Sequence, residues 1–136
     1  MTGTRFKNWK KPKISDNKPT KYNWIVQHIK KFEIGKNVDI GAYTYINARY
    51  GVKLEDNVQI GSHCSIYSDS TIDSKKGKVI LMENSCLGSH SMVMPEVTIG
   101  KNSVIGAFSF VNKSIPDNCV AVGIPVKIIK RLNKVK

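Results

Sequence analysis

Acidic side chains are scarce in this chain. Ten Asp and Glu stand against 22 Lys and Arg, a formal charge of +12 at neutral pH. Such a field suggests nucleic acid first. The lysines are not interleaved with aromatic residues on one element, however. They gather at the ends, from Lys7 to Lys31 and from Lys127 to Lys136. A small phosphorylated ligand benefits from the same field, and adhesion to an anionic membrane surface is left open. Long apolar runs are absent too, so no segment reads as a bilayer span. Met1 to Asp16 is polar and lysine-rich and lacks the apolar stretch of a secretory signal. Cysteine is limited to Cys64, Cys86 and Cys119, with no CxxC pair. That usage fits reduced, packed thiols in a cytosolic protein.

What the chain does have is a beat of six. Ile34, Ile40, Ile46, Leu54, Ile60, Ile66, Ile72, Leu81, Leu87, Val93, Ile99, Ile105 and Val111 follow one another at that interval, with two interruptions. Gly follows at positions 35, 41, 61, 88, 100 and 106. Six is a multiple of two, so each beat returns to the same face of an extended strand. On a helix, successive beats drift around the axis. Glycine after the beat suits a corner where a Cβ is costly. One coil cannot bury its own apolar beat, so coils must stack. The expected fold is all-β, a left-handed parallel β-helix of roughly four to five coils.

The beat slips twice. Two extra residues fall around Ala48–Gly51, and three within Asp73–Lys78. A slip in a stacked prism must leave as a bulge or loop, and loops on a rigid scaffold are where sites are built. Upstream, Trp24, His28 and Phe32 with Ile25 and Ile29 fall at helical spacing. The expected organisation is a basic arm over 1–21, a short capping helix over 22–33 and the β-helix domain over 34–132, with a basic C-terminal tail.

From Asn84 to Arg131 the sequence resembles the bacterial hexapeptide-repeat sugar acetyltransferases. The resemblance is carried by Leu87-Gly88-Ser89-His90, by Met94-Pro95-Glu96-Val97-Thr98-Ile99-Gly100, by Ile105-Gly106-Ala107, and above all by Gly123-Ile124-Pro125-Val126-Lys127. The segment Ile60 to Ser68, followed by Ser70-Thr71-Ile72-Asp73, is similar to enzymes that acetylate nucleotide-linked 3-amino-3,6-dideoxyhexoses. The galactoside and maltose enzymes of the family carry a catalytic His in the loop after this coil. Here Asp73 to Lys78 has none.

The resemblance implies acetyl-CoA as cosubstrate, no metal, and a homotrimer with active sites between subunits. Carried over by position, Gly106, Ala107 and Ser109 would lie along the pantetheine arm, with Asn112 and Lys113 further along it. Pro125 would lie near the adenine, and Lys127, Lys130 and Arg131 near the phosphates. Asn47 matches a position that touches the acceptor sugar. Ser68 and Asp73 flank the second slip and are candidates for the same role. The implied reaction is N-acetylation of a nucleotide-linked deoxyamino sugar in the cytoplasm. O-acetylation of a sugar is the alternative.

Acetyl transfer needs somewhere to put the acceptor's proton, and His is the usual base near neutral pH. His63 and His90 share the pattern Gly-Ser-His, each three residues beyond a beat. His63 is the expected base, with His90 its runner-up or an acceptor contact. Their 27-residue separation reads as one coil of about eighteen plus a loop and a half-coil. The expectation is therefore that they do not stack on one chain but could meet across a trimer interface. A sugar amine is partly neutral without help, so removing the base should cost little there and much with a hydroxyl. A zinc enzyme on the same prism would need three converging His ligands, and only two lie in the repeat. A noncatalytic basic scaffold or nucleic-acid binder would show salt-sensitive binding and no affinity for CoA.

Overall fold

The structure, a computed structural model, describes residues 6–133. Residues 1–5 of the expected arm and 134–136 of the tail lie outside it. The chain winds five times around a three-sided prism. The first coil holds β1 (Ile25–Gln27), β2 (Phe32–Ile34) and β3 (Asp39–Ile40). The second holds β4 (Tyr45–Asn47), β5 (Val52–Leu54) and β6 (Gln59–Ile60). The third starts with β7 (Ser65–Tyr67), leaves as a hairpin of β8 (Asp69–Ser70) and β9 (Lys75–Lys76), and resumes with β10 (Val79–Leu81) and β11 (Cys86–Leu87). The fourth holds β12 (Met92–Val93), β13 (Thr98–Ile99) and β14 (Val104–Ile105). The fifth holds β15 (Phe110–Val111) and β16 (Cys119–Val122), and β17 (Lys127–Arg131) returns antiparallel to β16.

Strands stack in parallel on three faces. Face A is β1-β4-β7-β12-β15, face B is β2-β5-β10-β13, and face C is β3-β6-β11-β14-β16 with β17 at its edge. Each face contributes one column of inward aliphatic residues. Val26, Ile46, Ile66, Val93 and Val111 are in register on face A. Face B supplies Ile34, Leu54, Leu81, Ile99 and Ile115. Face C supplies Ile40, Ile60, Leu87, Ile105 and Ala121. All but the half-buried Ile34 are buried. Each such side chain contributes about 1.5–3 kcal/mol by leaving water, and the columns are the core. This is the left-handed parallel β-helix that the beat predicts.

Three expectations need correction. The 22–33 segment is no helix. It is β1, a one-turn 3-10 helix over Ile29–Lys31, and β2. The reason lies in the beat itself. Val26 stands eight residues before Ile34, the same interval as Ile46 to Leu54, so the repeat starts one step earlier than the sequence reading placed it. β-Branched Ile25 and Val26 suit a strand. The open first coil is instead covered by the arm. Trp9 and Ile14 pack on the core. The Trp9 indole N–H donates to the Val38 carbonyl (3.0 Å), and Asp16 Oδ1 accepts from the Ile29 N–H (2.9 Å).

The second correction concerns Ile72, which is 98% exposed at the hairpin and no part of the core. The second slip is larger than three residues. Val52 pairs with Val79 and Ser65 with Met92, a spacing of 27 against the 18 that separates Met92 from Phe110. The whole hairpin is extra chain. The third concerns the histidines, below. Among the described residues, no helix is long and apolar enough to cross a membrane.

Candidate active site

The corner between faces C and A is built from one tripeptide used four times: Gly41-Ala42-Tyr43, Gly61-Ser62-His63, Gly88-Ser89-His90 and Gly106-Ala107-Phe108. Glycine is required first. A Cβ on Gly88 would sit 2.7 Å from the Gly106 carbonyl carbon and 2.8 Å from the Ala107 Cα of the next coil. The third residue is left-handed each time, with φ of 66°, 58°, 61° and 58°. That conformation turns the chain and throws the ring outward. A small buried side chain follows and ties the corner down. Thr44 Oγ1 donates to the Gly61 carbonyl (3.0 Å), Cys64 Sγ to Gly88 (3.2 Å) and Ser91 Oγ to Gly106 (3.2 Å). Ser109 Oγ donates to Gly106 as well (2.6 Å) and accepts from the Gly123 N–H (3.1 Å).

The outward rings therefore form a ladder. Tyr43 and His63 have centroids 5.2 Å apart. His63 and His90 lie 4.7 Å apart and within 4° of parallel. His90 and Phe108 lie 4.9 Å apart and within 8°. The two histidines are direct neighbours on one chain, contrary to the expectation from their spacing. The 27 residues between them are one coil plus the hairpin, with no half-coil left over. Both imidazoles are exposed at the corner.

The residues expected along the CoA arm divide between two edges. Gly106, Ala107 and Ser109 are at the C–A corner, one step above His90. The Ser109 bridge holds Gly123 there, and the Val126 N–H donates to the Phe110 carbonyl (3.0 Å), so the exposed Pro125 closes over the same corner. Lys127, Lys130 and Arg131 follow along the strand β17. Arg131 Nη1 donates to Cys119 Sγ (3.2 Å). Asn112 and Lys113 are exposed at the far edge of face A, where it turns into face B.

That far edge carries the acceptor candidates. The hairpin stands against face A and borders an open cavity of about 380 Å³, lined among others by Asn47, Tyr67, Asp69, Asp73, Met92 and Phe110. Asn47 Oδ1 accepts from the Arg49 N–H (3.1 Å), and its Nδ2 donates to the Tyr45 hydroxyl (3.4 Å). That hydroxyl donates in turn to Gln27 Oε1 (2.5 Å). Burial pushes the Tyr45 phenol above its usual value, partly offset by Asn47. Asp73 accepts from Ser70 Oγ (2.5 Å) and pairs with Lys75 (3.8 Å). Asp69 pairs with Arg49 (3.5 Å). Ser68 does not reach this cavity. It is fully buried, its Oγ donating to the Asn47 carbonyl (2.7 Å) and accepting from the Tyr50 N–H (3.0 Å). It clips coil two to coil three, a structural role in place of the sugar contact expected of it.

Tyr67, Asp69, Met92 and Phe110 were missed by the sequence reading. Tyr67, Met92 and Phe110 each stand one residue from a beat, and strand alternation turns those positions outward. That signal was available for all three. For Asp69 it was not, because its place depends on the hairpin.

The site thus has two halves on one face. The imidazole ladder and the Gly106 corner are at one edge, and the Asn47–Asp73 cavity at the other. His63 stands six residues before Asp69, and His90 two residues before Met92, so the cavity lies across the same face from the ladder. Among the described residues, no group of three or more His, Cys, Asp or Glu side chains is arranged to hold a metal ion.

The repeat and the prism define a class. The bacterial transferase hexapeptide pattern (six repeats) matches residues 78–113, and the hexapeptide repeat of succinyl-transferase matches residues 32–68. The chain carries the hexapeptide repeat on a left-handed β-helix and is similar to the hexapeptide-repeat acetyltransferases. It is 39% identical over 114 residues to a galactoside O-acetyltransferase of Lactococcus lactis, covering 73% of this chain and 55% of that protein. The chain therefore spans little more than half the length of that relative. Among solved structures it is similar to AntD, an N-acyltransferase from Bacillus cereus crystallised with dTDP and 3-hydroxybutyryl-CoA. The TM-score is 0.70 at 26% identity, covering 84% of this chain and 79% of that one. A variant of AntD was crystallised with dTDP-4-amino-4,6-dideoxyglucose and coenzyme A. A galactoside acetyltransferase in complex with coenzyme A gives a TM-score of 0.73 at 30% identity, covering 81% of this chain and 60% of that one.

Proposed function

We propose that this chain transfers an acetyl group from acetyl-CoA to the amino group of a nucleotide-linked deoxyamino sugar in the cytoplasm, working as a homotrimer. The stacking of His63 and His90 directly beneath the Gly106–Ser109 corner carries the reading. Two imidazoles beside the backbone edge along which the pantetheine arm would run support a base there. The amine lone pair attacks the thioester carbonyl carbon, and the C–S bond breaks. CoA leaves as thiolate, and the amine's surplus proton passes to the imidazole and on to the sulfur. Asn47, Asp69 and Asp73 suit an acceptor with hydroxyls and an ammonium group. In the homotrimer the ladder of one copy works with the cavity of the next. The named ligands of AntD support this reading, as does the excess of positive charge.

The similarity to a galactoside O-acetyltransferase favours a second reading, transfer to a sugar hydroxyl on the same scaffold. One experiment decides. The protein is incubated with acetyl-CoA and a panel of nucleotide-linked amino sugars and free sugars, and products are read by mass gain and by lability to hydroxylamine. Hydroxylamine-stable acetylation of the nucleotide-linked amines is the expected result. A labile ester on a free sugar would replace the first reading with the second. No acetylation of any acceptor, with salt-sensitive binding to nucleic acid, would overturn both.

A further inference from the structure

The hairpin has a second side. Between it and the corner that joins faces A and B on coils four and five lies a cavity of about 440 Å³. Lys75, Lys76 and Lys113 line it with Ser74, Asn112 and Ser114, against a single carboxylate, Glu96. Lys75 is shared with Asp73 (3.8 Å). Among the described residues, no carboxylate lies within ion-pair distance of Lys76 or Lys113. Ser114 Oγ accepts from the Thr98 N–H (2.9 Å), which leaves its own O–H to donate. The floor is fixed, because the Gly77 N–H donates to the Ser68 carbonyl (2.9 Å) and the Gly77 carbonyl accepts from the Glu96 N–H (3.3 Å). The cavity meets the acceptor cavity across Met94, which lines both.

We infer that this lysine lobe binds a diphosphate, that of the nucleotide-linked acceptor, while the sugar ring occupies the neighbouring lobe. The inference rests on the acceptor reading above. A diphosphate bonded to the anomeric carbon of a sugar in the first lobe would run past Met94 into a field of ammonium groups with hydroxyl and amide donors at hand. Lysines neutralise phosphate as point charges and do not demand a planar partner. Lys113 then serves the acceptor, where the family resemblance assigned it to the CoA arm. The same chemistry could come from the diphosphate of coenzyme A, and the test separates the two sources.

The full chain is titrated calorimetrically with inorganic pyrophosphate, uridine 5′-diphosphate and coenzyme A, as wild type, Lys75→Ala/Lys76→Ala and Lys113→Ala, with circular dichroism confirming the fold of each. Removing these cations should weaken pyrophosphate and the nucleoside diphosphate about tenfold and leave coenzyme A unchanged. In turnover, KM for the nucleotide-linked acceptor should rise while kcat and the KM for acetyl-CoA hold. Weakened coenzyme A with unchanged nucleoside diphosphate would assign the lobe to the cosubstrate and overturn the inference. So would equal binding by all three proteins, or no diphosphate binding by the wild type. Lysine-dependent diphosphate binding without any acetyl transfer would uphold the lobe and refute the proposed reaction instead.

Discussion

Ile66 and Ile72 stand six residues apart on the same beat, and the structure gives them opposite fates. Ile66 is fully buried between Ile46 and Val93 in the central column of face A, whereas Ile72 is 98% exposed. Truncating Ile66 to Ala removes three carbons from a closed row. At ~0.8 kcal/mol per buried methylene the transfer loss alone is about 2.5 kcal/mol. The neighbours above and below are held at strand spacing by main-chain hydrogen bonds and cannot collapse into the gap, so a cavity term adds to it. The whole cost falls in the range of ~3–5 kcal/mol. Ile72→Ala removes the same carbons from water-exposed chain and should change stability by no more than about 0.5 kcal/mol. In urea unfolding at fixed protein concentration, the Ile66 variant should lose at least ~1 M from the midpoint and the Ile72 variant almost nothing. Equal shifts would refute the hairpin assignment and restore the unbroken beat.

The asparagine corner between faces B and C makes a second test. Asn102 is left-handed at φ 60° and donates to Asn118 Oδ1 (3.1 Å), so Asn102→Ala should cost about 1–2 kcal/mol in thermal or urea unfolding and Asn102→Gly clearly less. Gly61→Ala would bring a Cβ to 2.6 Å from the Ser89 nitrogen. Coils two and three must then separate beside the His63–His90 stack, so both stability, by ~1–3 kcal/mol, and acetyl transfer should fall. Burial raises the Cys64 thiol above its ordinary value of 9.0. Its thiolate fraction at pH 8 is therefore below that of a free thiol, and a disulfide reagent should label it only after unfolding. The stability that comes from keeping this thiol protonated is complete below pH 9.0 and is lost as the pH climbs through the raised native value.

The fold was legible because its cause is local and repeated. Leu87, Ile99 and Ile105 announce their faces by interval alone, and the glycines after them announce the corners. What was illegible depended on how the coils count. Trp24, His28 and Phe32 fit a helix by spacing, and only the pairing of Val26 with Ile46 shows that this segment is already a coil. The His63–His90 contact was misjudged for the same reason. A slip of three could be read from the beat, but an excursion spanning β8 and β9 hides inside it, since Ile72 falls in phase by chance. Asn47 and Asp73, which line one cavity, were singled out through the slips that flank them. Ser68, beside the same slip, was not distinguishable from them in sequence, because only packing decides which neighbour faces inward.

Every departure from a six-residue step falls at one edge, where face A turns into face B. The turn at Ile29–Lys31, Tyr50–Gly51 and the hairpin occupy it, while the glycine-ring corner and the asparagine corner keep their stacking past every coil. Chain can thus be added or removed along that edge without unwinding the other two. The scaffold separates the durable from the adjustable: under the proposed function, exchanging the hairpin for another of different length would retune what the cleft accepts while the glycine-ring corner stayed as it is.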